Sequence, residues 1–397
     1  MTSPGCYFVF VTFGHGTRRG FEKRAVASVT LSLDNVVAAF PPCWLRDNCP
    51  CALCRDPKSN QKLFQLAEIP IDIAIADAHE SGDTITVTFS PDGHRSVYSH
   101  TWLVAQTLAA PAEPRENWRG VDLDETTARA EWSTYVSDEM DRLRVLRDVE
   151  QLGFAILRDT PTTDRTVLGI ARTFGFVRET NYGDLFDVRV EAQPTNLAFS
   201  ALAISPHTDN PYRNPVPTMQ LLHCLENSVS GGESGLVDGF MAANILRDEQ
   251  PGYFDILSRT PATFAWSDDN NVLSATRPVI ELDEGAQLRS VRLNSRSMQA
   301  LRLEYDEILA YYDAYRAFSD IVNHPTLAYT FRLDAGDCLI FDNTRVLHSR
   351  TAFDASQSGH RHLQGCYADL DGLVSSVAVL ERRYGGSVND VLSVGPG

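Results

Sequence analysis

Two imidazoles and a carboxylate stand at a spacing that suits a redox-active metal: His207-Thr208-Asp209 is followed 139 residues later by His348. Residues i and i+2 on extended chain point to the same side, so His207 and Asp209 can grip one ion together while His348 closes the set from a distant strand. Such a facial triad holds ferrous iron and leaves three positions open, as a reaction with dioxygen and a chelating cosubstrate requires. Taken alone, a His-X-Asp is more often a surface pair than a ligand set. Thirteen residues after His348, however, stands Arg361. Its planar guanidinium is the natural partner of a buried carboxylate. A zinc hydrolase built on the same His and Asp residues would have no use for that arginine.

A second set lies nearer the N-terminus. Of eight cysteines, Cys43, Cys49, Cys51 and Cys54 crowd into twelve residues, whereas Cys6, Cys224, Cys338 and Cys366 are scattered among apolar neighbours and read as inert core thiols. Cys49, Cys51 and Cys54 on one tight knuckle, with His94 forty residues later in PDGHRSVY, suit a tetrahedral Cys₃His zinc site. His79 and His100 are the nearby alternatives to His94, and Cys43 falls outside the motif. A closed four-ligand site is structural and adds folding energy to a module too small for a large core.

The elements that must position these two sets read as two bodies. A chain of 397 residues, 43% hydrophobic, is longer than a single core usually grows. Residues 1–28 read as an extension of unclear role. Residues 29–108 read as a small β-rich zinc-binding domain, with alternation in Thr84–Phe89 between turn signals. Residues 109–132, rich in Pro, Ala and charge, read as a linker. From 133 to 397 the pattern is that of a catalytic domain. Tyr135–Leu152 and Thr163–Phe174 carry apolar residues at helical spacing, as does a longer segment over Met298–Val322. Short strands read at Asp187–Glu191, Asn196–Ile204, Thr218–Cys224, Gly235–Asp238, Val279–Leu282, Leu288–Asn294, Ala328–Leu333 and Cys338–Phe341, and Ala335-Gly336 reads as a hairpin turn. That many short strands suit a double-sheet jelly roll (double-stranded β-helix) with flanking helices, a mainly β fold. The net charge of −17 excludes a nucleic-acid partner, which needs a basic face. No stretch reaches the ~20 apolar residues of a membrane span, and Cys6–Phe13 lacks the flanks of a signal peptide, so a cytoplasmic protein with no membrane partner is expected.

From about Cys43 to Leu373 the chain resembles the γ-butyrobetaine hydroxylase and trimethyllysine dioxygenase family. The stretches HTDNPYRNPVPTMQLLHCLENSVSGGESGLVDGF, LIFDNTRVLHSRTAF and RHLQGCYADLDGL carry the likeness, and WLRDNCPCALC with the later PDGH resembles its N-terminal zinc motif. The resemblance implies an Fe(II)- and 2-oxoglutarate-dependent dioxygenase that consumes O₂ and releases succinate and CO₂. In it His207, Asp209 and His348 are the iron ligands, Arg361 holds the distal carboxylate of 2-oxoglutarate, and Ser234 of GGES places a hydroxyl near the same carboxylate. It also implies a homodimer.

A small quaternary ammonium substrate cannot donate hydrogen bonds and is bound by aromatic faces. The resemblance places four such residues, Tyr182, Phe186, Phe199 and Tyr367, around the cation, and Asn294 near the substrate's acid group. Two departures bear on substrate. Animal-type relatives have Trp and Tyr at the positions of Phe186 and Phe199, and have Tyr directly after the Asp, where this chain has Asn210-Pro211-Tyr212. Arg296, two residues from Asn294 on a predicted strand, would face the same way. Together Arg296, Asn210 and Tyr212 suit an acid with more oxygens than a carboxylate. The expected substrates are therefore γ-butyrobetaine and (2-trimethylammonioethyl)phosphonate, with trimethyllysine hydroxylation and a non-catalytic betaine-binding jelly roll as the alternatives.

Overall fold

The computed structural model describes residues 8–15, 25–33, 36–107, 115–189, 202–353 and 359–384. The chain divides into two compact units, residues 1–112 with 387–397, and residues 113–386.

In the first unit, β1 (Phe8–His15), β2 (Ala25–Leu33) and β3 (Val36–Phe40) form an antiparallel sheet, followed by the short helix α1 (Pro42–Asp47). The residues read as an extension thus supply a whole strand and the start of another. A second antiparallel sheet consists of β4 (Ala74–Ser81), β5 (Thr84–Ser90) and β6 (Arg95–Ser99), with helix α2 (His100–Ala105) after it. The alternation in β5 buries Ile85, Val87 and Phe89 with Leu45, Tyr98 and Leu103.

The second unit starts earlier than composition suggested. Residues 115–132 are not a linker, because Trp118 is buried in the main core and β7 (Arg129–Glu131) pairs with β8 (Phe154–Arg158). The Pro- and charge-rich composition hid a single anchoring aromatic. Between these strands run α3 (Trp132–Ser137) and α4 (Glu139–Leu152). Asp138 caps α4 by accepting from the Met140 N–H, and Gly153 ends it at φ +85, a left-handed turn where a Cβ would also strike Val346.

After α5 (Thr166–Ala171) come β9 (Val177–Arg178), β10 (Phe186–Arg189), β11 (Ile204–His207), β12 (Met219–Asn227) and β13 (Ser234–Asp238). Helices α6 (Gly239–Glu249) and α7 (Pro251–Arg259) follow, then the hairpins β14 (Ala262–Ser267) with β15 (Val272–Arg277) and β16 (Ile280–Leu282) with β17 (Leu288–Val291). The chain closes with α8 (Tyr305–Val322), β18 (Tyr329–Phe331), β19 (Cys338–Asp342), β20 (Val346–Arg350), β21 (Arg361–Ala368) and α9 (Leu370–Tyr384).

The large sheet runs β10-β21-β12-β19-β8-β7, with β9 on β21, and the small sheet runs β11-β20-β13-β18. Every pairing in them is antiparallel except β7 with β8. This is the jelly roll expected from the strand count. The Asp334–Asp337 turn forms, with the Asp337 N–H on the Asp334 carbonyl at 2.9 Å, but β18 and β19 lie in different sheets, so it joins sheets and makes no hairpin. One core gathers the large sheet with α4, α5 and α9, and a second gathers α6, α7 and α8. The helical segment read from Met298 begins only at Tyr305. Among the described residues no helix is long and apolar enough to cross a membrane.

Candidate active site

His207 ends β11 and is the direct cross-strand partner of His348 on β20. That register sets the two imidazoles side by side, their ring centroids 4.2 Å apart. Asp209 lies just past the strand, in a bend, and not on the extended chain the sequence suggested. Backbone clamps bring it back to the histidines. The Thr208 N–H donates to the Leu293 carbonyl at 2.9 Å. Asn343, buried in the turn before β20, accepts the Asp209 N–H at 2.8 Å and donates to the Asp209 carbonyl at 3.0 Å. As a result Asp209 Oδ1 stands 3.4 Å from His207 Nε2 and its Oδ2 4.0 Å from His348 Nε2.

The protonation states favour a cation among these three. Burial would raise the Asp209 carboxyl, but His207, His348 and the Gln220 amide hold it well below the usual range. Gln220 Nε2 donates to Asp209 Oδ2 at 2.9 Å and the Tyr367 hydroxyl donates to the same oxygen at 3.2 Å. Burial, with His207 beside it, pushes His348 down to about 3, so its ring is neutral. His207 Nδ1 lies 3.0 Å from the Ser205 carbonyl, which fixes the proton there and leaves Nε2 as the lone-pair nitrogen. All three ligand atoms lie within 4.8 Å of one another. Two imidazoles and one carboxylate at such separations fit the ligand set of ferrous iron.

These side chains open into a cavity of about 390 Å³. Arg361, first residue of β21, enters it from the large sheet; it is buried, its Nε lacks a partner, and no carboxylate pairs with it among the described residues. Gly232, at φ +72, leaves room for this side chain, since a Cβ there would stand 3.4 Å from Arg361 Cδ and Nε. Ser234 lines the same region, and so does Arg350, which the sequence reading missed. Period-two alternation puts Arg350 on the His348 face of β20, a cue that the sequence does contain.

The aromatic residues fall into two groups. Phe186 and Tyr367 face each other from β10 and β21 at 5.1 Å. Tyr182 and Tyr212 join hydroxyls at 2.9 Å and both meet Trp266, at 5.6 and 5.9 Å. Burial raises all three tyrosine hydroxyls, so they stay protonated. Trp266 was not singled out from the sequence, and Phe199 lies outside the described residues. Tyr212, grouped with the acid end on sequence, stands with the aromatics.

Polar groups line the remaining wall. Asn210 adopts φ +53, a conformation asparagine tolerates, and its buried Nδ2 has no partner among the described residues. Asn294 donates from Nδ2 to the Thr208 carbonyl at 3.0 Å and leaves Oδ1 unpaired. β17 ends at Val291, so the strand geometry expected for Asn294 and Arg296 does not hold. Arg296 reaches the cavity from an exposed turn instead. Arg292 supports the wall from behind, donating to the carbonyls of Pro211 and Arg213 at 3.1 and 3.3 Å.

In the first unit, His94 Nε2 stands 3.1, 3.6 and 3.5 Å from the sulfurs of Cys49, Cys51 and Cys54. Tetrahedral zinc fits such a cluster. Arg46 donates to Cys54 Sγ at 3.3 Å and to Asp92 at 2.8 Å, while Asp92 accepts the His94 N–H at 3.0 Å. Burial pushes the Cys49 thiol up to about 12. Cys43 is exposed and lies outside the cluster, as do His79, 3.8 Å from Asp77, and the buried His100, 3.3 Å from Glu80.

The profile of the taurine catabolism dioxygenase TauD, TfdA family matches residues 119–367. The chain belongs to this family. It is a dioxygenase of the iron- and 2-oxoglutarate-dependent class, and residues 24–104 match the γ-butyrobetaine hydroxylase-like N-terminal domain. This TauD-family chain is 37% identical to a γ-butyrobetaine dioxygenase of Pseudomonas sp. (strain AK-1), over 88% of its own length and 92% of the relative's. It is 28% identical to a trimethyllysine dioxygenase of Meyerozyma guilliermondii, covering 86% and 90%. Among solved structures it is similar to a taurine dioxygenase from Burkholderia xenovorans at 12% identity and a TM-score of 0.46, covering 57% of this chain and 81% of that one.

Proposed function

We propose that this dioxygenase hydroxylates a C–H bond of a short trimethylammonium acid, γ-butyrobetaine or (2-trimethylammonioethyl)phosphonate. The observation that carries the reading is the convergence, in one cavity, of the His207, Asp209 and His348 set, Arg361 with no carboxylate partner among the described residues, aromatic faces and an amide-and-guanidinium wall. His207, Asp209 and His348 would hold iron, and Arg361 with Ser234 would secure the 2-oxoglutarate carboxylate; the metal would supply the oxidation in which O₂ gives one oxygen atom to succinate, as CO₂ leaves, and the other to the substrate. The chain's own task is positioning.

Phe186, Tyr367 and Tyr182 present π faces to the trimethylammonium head. The Asn210 amide, Asn294 and Arg296 bind the acid, whose charge would satisfy the unpaired Asn210 donor. Fixing both ends selects the carbon attacked. Tyr367 and Gln220 keep the Asp209 carboxylate oriented through hydrogen bonds to Oδ2. The Cys49, Cys51, Cys54 and His94 cluster holds a structural zinc on this reading, and a cytoplasmic homodimer is the expected assembly.

The test is protein reconstituted anaerobically with Fe(II), then given 2-oxoglutarate, oxygen and either γ-butyrobetaine, the phosphonate or trimethyllysine, with succinate and product mass recorded. One added oxygen on either short acid supports the proposal. Product from trimethyllysine alone would select the other substrate, and absence of succinate with all three would leave a betaine-binding protein.

A further inference from the structure

We propose that the Trp266 indole sets the length of substrate the cavity accepts, favouring short trimethylammonium acids over longer, lysine-like ones. This inference rests on the trimethylammonium reading above and deepens it.

Trp266 comes from the β14–β15 hairpin, which belongs to neither jelly-roll sheet. Its ring stacks on Tyr212 at 5.9 Å with 20° between planes and meets Tyr182 at 5.6 Å. The hairpin is fastened to the turn that carries the polar residues: the Ala265 N–H donates to the Ser297 carbonyl at 2.9 Å, and the Gln299 N–H to the Thr263 carbonyl at 2.8 Å. The indole therefore lines the cavity from the same wall as Asn294 and Arg296, the acid end on the reading above.

Beyond Trp266 the hairpin runs out to solvent among the described residues. Trp266 pairs with Leu273 across the hairpin, the neighbouring Val272 is 85% exposed, and residues 267–270 at the turn are exposed. At the opposite end the cavity is backed by the large sheet, where Gln220, Leu222, Leu363 and Tyr367 sit on β12 and β21. A longer ligand cannot push that sheet aside, because it is packed from behind by α5. Lengthening must occur on the hairpin side, where, among the described residues, the flat indole is the stop. A substrate ending in a single acid group fits in front of it, whereas the amino-acid head of trimethyllysine would meet the indole face.

The experiment compares wild type, Trp266→Ala and Trp266→Phe by succinate release and product mass with γ-butyrobetaine and with Nε-trimethyllysine. The expected result for Trp266→Ala is at least a tenfold fall in the ratio of kcat/KM for the short acid to that for trimethyllysine, on the scale of a pocket gaining or losing about one methylene group's worth of fit. A gain on trimethyllysine through KM should carry much of it. Trp266→Phe should keep most of the wild-type ratio. The KM for 2-oxoglutarate, unchanged in both variants, reports an intact fold and centre; if the alanine variant does not fold, Trp266→Leu replaces it. A ratio that moves less than about threefold with 2-oxoglutarate KM intact overturns the inference. Wild type that prefers trimethyllysine overturns it too while leaving the trimethylammonium reading standing, whereas wild type that oxidises neither compound overturns that reading, and this inference with it.

Discussion

The ring of Phe186 lies over the backbone of Gly365. The two residues are partners across β10 and β21, and a Cβ built on Gly365 would stand 2.3 Å from Cζ and 2.4 Å from Cε2 of the ring. The bare glycine is what lets Phe186 turn inward and face Tyr367.

Gly365→Ala should therefore act on substrate and not on cosubstrate. The added methyl forces the Phe186 ring away from Tyr367, and overpacking of this kind costs about 1–3 kcal/mol. The expected outcome is a rise of about tenfold in substrate KM, the equivalent of ~1.4 kcal/mol of lost binding, with the KM for 2-oxoglutarate unchanged. In a Phe186→Ala background the same substitution should have little further effect. An equal penalty in both backgrounds, read by steady-state kinetics, would place the damage in the strand and not in the cage.

Arg361→Lys keeps the positive charge but removes the two-pronged donor. Loss of one charge-assisted hydrogen bond to the distal carboxylate, about 1.5–3 kcal/mol, predicts a rise in 2-oxoglutarate KM of roughly 10- to 100-fold. Substrate KM should hold. Titration of 2-oxoglutarate at saturating substrate checks it, and an unchanged KM would move the anchor to another group in the cavity, with Arg350 the nearest in chemistry.

What could be read from the chain follows from how tightly chemistry constrains spacing. A metal demands donors of fixed type, so His207, Asp209, His348 and the three clustered cysteines stood out before any geometry was known. Register then did what the spacing alone could not: β11 and β20 pair His207 with His348 across 141 residues of chain. Trp266 carries no such cue. It lies in a β-hairpin whose ties to the site are tertiary, such as the hydrogen bond from Ala265 to Ser297.

Composition misled where a few residues outweighed their neighbours. Trp118 sits in a stretch of Pro and charge, yet its indole N–H donates to the Leu152 carbonyl at 2.7 Å and its backbone N–H to Asp238. Asp238 in turn pairs with the fully buried Arg345 at 2.9 Å. A single anchored aromatic thus makes residues 115–132 part of the catalytic unit. Likewise, the helical periodicity read from Met298 is interrupted up to Glu304, whose capping box with Glu307 begins the helix at Tyr305.

Removal of zinc offers the clearest test of the first unit. On the proposed ligation, Cys49, Cys51 and Cys54 are bound thiolates, shielded from modification, whereas Cys43 is exposed from the outset. Zinc ligation in small domains contributes folding energy directly, on the order of 10 kcal/mol for isolated zinc modules. A strong chelator should therefore release one equivalent of zinc per chain, expose three further thiols to a colorimetric thiol reagent and lower the melting temperature of the full chain. It should also alter the near-ultraviolet dichroism of Trp44, Tyr98 and Trp102, which contact one another at 5.5 and 5.9 Å in the same unit. Cys224, Cys338 and Cys366, buried in the second unit, should stay unreactive while that unit remains folded. His94→Ala should reproduce the change without chelator. If neither treatment raises the thiol count, the cluster does not hold a metal, and the knuckle is maintained by the Arg46 contacts to Cys54 and Asp92 alone.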